Sequence, residues 1–358
     1  MGFFLNSVRR LLGDEPLAAV LEPIRTKYSL PALAGAVFTV DGVVEMAAVG
    51  VRKVGTTEAV TSDDLWHLGS DAKAMTATLV GGYVAEGLLS WDATVISFFP
   101  EVADSIAPGM KSVTLSQLLN HQAGLAENLP WRVLAKTGSV SEQRLAAAQK
   151  ALLSPVYTPG TYHYSNAGYV VVGALLERIS GWAWEDLMRE RLFRPLGMES
   201  AGFGGTGTPG QIDQPWPHAE NGSCAPMNGP TMDNPPIMGP SGSVHCSMKD
   251  WTRFLTDQLR GSVGMEALLP GEIYAAMQTA EQGDYAYGWK VCERPWAGGN
   301  ALNHCGSNTM NFCNCWLAPA KRFGVLVCLN QGGAKMFKAS DEAATAMIQR
   351  HVAKRKSA

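Results

Sequence analysis

Ser70-Asp71-Ala72-Lys73 places a hydroxyl and an amine three residues apart at the start of an apolar run. If that run is helical, residues i and i+3 share a face and the two groups can meet. An amine buried among apolar groups loses much of its preference for the charged form. An uncharged or proton-sharing amine beside a hydroxyl is what a nucleophilic serine requires. The backbone N–H groups that open such a helix also favour developing negative charge. Two later patterns supply partners. Tyr164-Ser165-Asn166 follows a Pro159-Gly160 turn and precedes a second apolar run. A phenol there can act as general acid or base where a nearby cation lowers its pKa. The amide offers a donor and an acceptor to an ester or amide substrate. His304-Cys305-Gly306-Ser307 lies on a strand-like run, where Gly306 lets another backbone approach closely. Taken singly, each pattern also arises from a helix cap or a turn. The order of all three along one chain is the specific signal.

The elements that must position these groups are legible from hydrophobic period. A helix is predicted over 16–27, then strands over 32–40 and 43–51 joined by Asp41-Gly42, a hairpin signal. The predicted helix over 70–89 is apolar nearly all round, through Ala72, Met75, Ala77, Leu79, Val80 and Val84, which marks a buried helix. Further helices are expected over 167–179, 184–192, 248–259 and 339–352, and strands over 287–292, 301–305, 310–317 and 323–329. Residues 203–245 are rich in Gly, Pro, Asn and Ser and show little period. A long irregular stretch of this kind is expected to be either a functional loop or disorder. Its Trp216, His218, Met227 and Met232 are expected to line the substrate pocket. Strands at both chain ends and helices between them imply an α/β (α+β) fold with one antiparallel sheet built from both ends. Residues 1–66 and 246–358 would form the sheet domain and 67–245 a mainly helical domain, with the active site between them.

Composition narrows the function classes. Of 358 residues, 46% are hydrophobic and 17% charged, an ordinary globular balance. The net charge is −3, and no basic stripe suggests a nucleic acid partner. The basic run at 354–356 reads as a solvated end. Seven cysteines, an odd number without framework spacing, argue against a disulfide scaffold and point to a reducing compartment. The first ten residues lack a signal-peptide pattern, and Asn6 stands where a myristoylation signal on Gly2 needs Ser or Thr. No apolar run is long enough to span a membrane, so the expected location is the cytoplasm. Cys313 and Cys315 with His304 and Cys305 do not have zinc-ribbon spacing, and no metal or cofactor is expected. No G-x-S-x-G elbow is present, which disfavours an α/β-hydrolase. His67 and His121 read as structural histidines rather than bases.

With Tyr164 placed 91 residues after Lys73 and a strand bearing x-x-G far downstream, the chain resembles the serine β-lactamase and penicillin-binding protein superfamily. It is most similar to the class C-like branch, including family VIII carboxylesterases and D-stereospecific peptidases. Leu118 to Leu125, Tyr162 to Gly173, Phe193 to Met198 and Pro240 to Val244 resemble further blocks of that branch. The resemblance runs over about 18–352. It implies that Ser70 is acylated, that Lys73 activates it, and that Tyr164 carries protons to and from the leaving group. It further implies that Asn166 orients the substrate and bonds Lys73, that the N–H groups of Ser70 and Ser307 form an oxyanion hole, and that His304 and Gly306 complete the third motif. His304 stands where β-lactamases usually carry Lys, and a neutral imidazole holds a substrate carboxylate less well. The expected activity is therefore hydrolysis of short-chain esters. β-Lactamase, D-amino-acid peptidase or amidase action, acyl transfer on the same chemistry, and a non-catalytic binding scaffold are the alternatives. A small ester or amide is the expected partner, with no nucleic acid and no membrane. The sequence leaves the oligomeric state open.

Overall fold

The computed structural model describes residues 15–226, 229 and 232–357; the N-terminal run read above and Met227 lie outside the described residues. Helix α1 (Leu17–Lys27) leads into β1 (Ala32–Thr39) and β2 (Gly42–Gly50), the hairpin marked by Asp41-Gly42. The chain then crosses β3 (Leu65–His67) and a 3₁₀ turn at Gly69–Asp71 into α2 (Ala72–Ala85). A helical region follows, with α3 (Leu115–Leu119), α4 (Val140–Leu153), α5 (Asn166–Ser180) and α6 (Trp184–Met188). After β4 (Gly202–Phe203) and β5 (Val244–Ser247) come α7 (Met248–Ser262) and α8 (Gly271–Gln278). Strands β6 (Lys290–Arg294), β7 (Gly299–Ser307), β8 (Phe312–Ala318) and β9 (Phe323–Leu329) and helix α9 (Ala334–Ser357) complete the chain.

The fold is a mixed α/β one built on an antiparallel sheet of order β2-β1-β9-β8-β7-β6. Both chain ends supply it, because β1 pairs with β9 in the middle of the sheet. Side chains alternate across a strand, and each face of β1 and β9 meets a different core. Leu33 and Val37, with Val325, Val327 and Leu329, pack beneath α1 and α9 against Leu21, Ile24, Met336 and Met347. Ala34, Ala36 and Phe38, with Leu326 and Cys328, join the helical core on the other side. Helix α2 runs through that core, with Lys73, Met75, Thr76 and Val80 inaccessible to solvent.

The structure departs from the sequence expectations in places. A second small sheet, β3-β5-β4, joins the strand that leads to Ser70 to the end of the irregular segment. The last helices are longer than predicted, and α8 had no sequence expectation. The strand expected over 287–292 begins only at Lys290. Tyr285, Tyr287 and Trp289 are instead buried in a loop where Gly288, at φ +80°, lies against the backbone of Lys73 and Ala74. All seven cysteines are free. Among the described residues no helix is long and apolar enough to cross a membrane.

Candidate active site

Ser70 lies where β3 ends and the chain tightens into α2. The turn needs Gly69 at φ +53°, a left-handed backbone that glycine adopts without strain. It also needs Gly306 opposite. A Cβ on Gly306 would fall 1.8 Å from the Leu68 carbonyl oxygen and 2.8 Å from the Ser70 nitrogen. The two glycines let β7 lie directly against the nucleophile turn.

One helical turn later, Lys73 Nζ is 3.0 Å from Ser70 Oγ. It donates to Asn166 Oδ1 at 2.8 Å and to the Ser241 carbonyl at 2.7 Å. Ser241 lies in the helical turn Gly239–Gly242, which packs beside α2. Two fixed acceptors thus orient two N–H bonds, and the third position of the nitrogen faces Ser70. Complete burial holds the Lys73 amine well below the usual lysine range, against the opposing pull of Asp71 and Glu127. In its uncharged state the amine directs a lone pair at the serine hydroxyl.

Tyr164 donates to Ser70 Oγ at 2.8 Å. Ser165, in extended conformation, caps α5 by accepting from the Gly168 N–H, which leaves Tyr164 just ahead of the cap and Asn166 on the first turn. The Tyr164 ring packs against the His121 ring, 4.4 Å centroid to centroid and tilted by 44°. His121 in turn accepts from the Ser165 N–H at 3.1 Å, and burial holds it well below the usual histidine range. It is a prop for Tyr164 and not a base. The lowering of the phenol's pKa that a nearby cation could produce is absent: burial dominates and pushes Tyr164 up, so the group is a protonated phenol.

Ser70, Tyr164, Asn166, Gly306 and Ser307 all line one open cleft of about 730 Å³. His304 does not. The side chains of β7 alternate, so Cys305 borders the cleft and His304 points inward. There it is 3.4 Å from Asp71 Oδ1 through Nδ1 and 2.8 Å from the Tyr285 hydroxyl through Nε2. Asp71 is buried beside it, and desolvation raises its carboxyl. The position carried by Lys in β-lactamases is therefore, in this chain, an interior residue without access to a substrate carboxylate.

The irregular segment supplies a wall of the cleft, but through Asp233, Asn234, Pro235 and Met238. Those of the expected residues that are described lie elsewhere. Trp216 packs under Lys53, His218 bonds the Asn330 carbonyl and the Val54 N–H, and Met232 borders a separate small pocket with His67. Several cleft residues carried no sequence signal. Glu127 is exposed in the cleft; its backbone carbonyl accepts from the N–H of Asn166 at 2.8 Å. Asn128 Oδ1 accepts from Asn166 Nδ2 at 3.0 Å, which fixes the orientation of that amide. Arg132 and the neighbouring Trp131 and Val133 complete the wall.

A serine flanked by a desolvated amine and a phenol, at a helix start beneath an antiparallel sheet, defines the acyl-serine class of hydrolases. The Beta-lactamase family model matches residues 17–349, and the chain belongs to that family. It is 28% identical over 332 residues to penicillin-binding protein 4 of Amycolatopsis lactamdurans, covering 88% of this chain and 85% of that protein. Lovastatin esterase of Penicillium rubens is 26% identical over 178 residues, covering 44% of each chain. The octameric penicillin-binding protein homologue from Pyrococcus abyssi shares the fold, with a TM-score of 0.74 at 23% identity over 93% of this chain and 76% of that one.

Proposed function

We propose that the protein is a carboxylesterase that hydrolyses short-chain esters through an acyl-enzyme on Ser70. The observation that carries this reading is the triangle at Ser70 Oγ, which has Lys73 Nζ at 3.0 Å and the Tyr164 hydroxyl at 2.8 Å. In acylation, Lys73 takes the Ser70 proton as Oγ adds to the ester carbonyl. The N–H groups of Ser70 and Ser307 receive the oxyanion. Tyr164, a protonated phenol, is the nearest acid for the departing alkoxide oxygen, and the proton taken by Lys73 restores it. In deacylation the same groups take a proton from water and return one to Ser70. We further propose that this chemistry lies between the sheet portion, 1–66 and 246–358, and the helical portion, 67–245.

The substrate class follows from charge. The third motif presents no cation to the cleft, since His304 is engaged with Asp71 and Tyr285. A neutral ester avoids burying an unpaired carboxylate there. The similarity to a protein named for esterase activity agrees with this reading. A second reading, hydrolysis of carboxylate-bearing β-lactams, is favoured by Arg132, an exposed cation on the cleft wall. The test compares kcat/KM for p-nitrophenyl butyrate and nitrocefin on one preparation, with Ser70→Ala as the control. The ester should be the better substrate, and Ser70→Ala should abolish both turnover and fluorophosphonate labelling while the protein stays folded. Nitrocefin turned over as well as the ester, with Arg132→Ala removing that activity selectively, would establish the second reading instead.

A further inference from the structure

The residue three before the nucleophile is the centre of a buried polar chain that the proposed chemistry does not use. His67, at the end of β3, has its side chain 2% exposed and its partner Asp233 0%. His67 Nδ1 accepts from the Gly69 N–H at 3.1 Å, so its proton resides on Nε2. That N–H is directed at Asp233 Oδ2, 2.8 Å away. The other carboxylate oxygen, Oδ1, accepts from Asn308 Nδ2 at 3.0 Å. Asn308 Oδ1 then gathers the N–H of Asn311 at 2.9 Å and the N–H of Met310 at 3.3 Å, closing the turn after β7. One carboxylate from the irregular segment therefore ties together the turn before Ser70 and the turn after Ser307. These are the two segments whose N–H groups would receive the oxyanion. Gly69 lies directly under Ser307, since a Cβ there would be 2.3 Å from the Ser307 nitrogen. The relative placement of those N–H groups has little slack.

We propose that Asp233 is a positioning residue that sets the spacing of the oxyanion hole by bridging His67 and Asn308. The same bridge fixes the cleft wall of Asp233, Asn234 and Pro235 against the nucleophile. The inference rests on the esterase reading and adds a specific hydrogen-bond polarity to it. Asp233 accepts twice, and both neighbours donate.

That polarity supplies the test. Asn308→Asp keeps the oxygen that holds the 310–311 turn but sets a carboxylate against the Asp233 carboxylate. Asp233→Asn gives one neighbour an acceptor and turns an NH₂ group toward the other neighbour's donor. The double variant Asp233→Asn/Asn308→Asp reverses the second bond. The amide at 233 accepts from His67 and donates to the carboxylate at 308, so every donor again meets an acceptor. Each single variant should lower kcat on p-nitrophenyl butyrate by about 10- to 100-fold, the scale for a misplaced oxyanion donor. KM should be little changed. The inhibition constant of a trifluoromethyl ketone that adds to Ser70 should rise by the same factor as kcat falls. The double variant should recover to within about threefold of the parent, since the partners act as one unit. A role in folding alone would move the melting temperature without that split between kcat and KM. Asn308→Asp at full kcat, or a double variant no better than its weaker single parent, overturns the proposal. If Asn308→Asp does not fold, the double variant against Asp233→Asn decides the question. An unsubstituted protein with neither ester turnover nor Ser70 labelling would instead strike down the esterase reading itself.

Discussion

Tyr164→Phe isolates the proton-transfer step better than any other single change at the site. The hydroxyl makes one hydrogen bond among the described residues, to Ser70 Oγ at 2.8 Å. The ring is held separately, packed against His121 with Lys73 Nζ 4.8 Å from its centroid. Removing the oxygen should therefore cost the folded state only about 1 kcal/mol, the usual net worth of a hydrogen bond. The catalytic cost should be larger. Loss of a positioned general acid lowers rates by about 10²- to 10⁴-fold, or about 2.7–5.4 kcal/mol of barrier. The loss should depend on the leaving group. A p-nitrophenolate departs with little help, whereas an alkoxide must be protonated as it leaves. The assay is kcat/KM for p-nitrophenyl butyrate and ethyl butyrate. This ratio reports acylation even where deacylation limits kcat. Tyr164→Phe should fall near the upper end of the range for the ethyl ester and well below it for the aryl ester. Adding Lys73→Ala should cost little more, because groups acting as one unit are not additive. Equal losses on both esters would show that Tyr164 does not protonate the leaving group. Near-normal turnover of the ethyl ester would refute the proton-transfer role altogether.

Three further outcomes follow from burial and backbone approach. Because Lys73 is held well below its ordinary range and must be unprotonated to act, kcat/KM should rise with pH and reach its plateau below the ordinary lysine range; a rate that fell with pH across that limb would mean that the charged amine is the active form. The same shift makes the folded state bind fewer protons than the unfolded chain. The stability cost of Lys73 is thus absent above the ordinary lysine range, grows as pH falls, and is complete below the folded-state value, so Lys73→Met should flatten that part of a denaturation-against-pH series. Gly306→Ala should push β7 off the nucleophile turn, since its Cβ would meet the Leu68 carbonyl oxygen at 1.8 Å, and should lower both the melting temperature and kcat; a variant with parental kcat would show that β7 can yield without disturbing the site.

What the sequence discloses and what it conceals divide along a physical line. Ser70 and Lys73 were legible as a pair because i, i+3 geometry belongs to the helix itself and needs no knowledge of the rest of the fold. The β1–β2 hairpin was legible for the same reason, through Asp41-Gly42. Tyr287 and Trp289 were expected within a strand over 287–292. They are buried in a loop instead, since Gly288 must turn to pass the backbone of α2, a constraint set by a segment more than two hundred residues away. The acceptors that orient the Lys73 amine are a side chain on α5 and a backbone carbonyl at Ser241, and a carbonyl has no letter in a sequence.

His304 shows most clearly where local reading stops. Its position in the third motif was recognisable, yet the direction of its side chain depends on the register of β7 against β8, where His304 faces Cys315 and Gly306 faces Cys313. A shift of one residue in a strand exchanges its two faces. With the observed register, Cys305 borders the cleft and His304 meets Asp71, the residue beside the nucleophile. The charges relevant to substrate choice therefore lie elsewhere in the cleft. A histidine turned into the interior makes no hydrogen bond or ion-pair contact with a substrate carboxylate in the cleft. Exposed charged side chains that line the cleft are Glu127, beside Asn166, and Arg132, both from a loop with no recognisable pattern. On the proposed function, selectivity between neutral esters and anionic lactams would rest on that loop, and the motif residues beneath it would carry the acyl transfer.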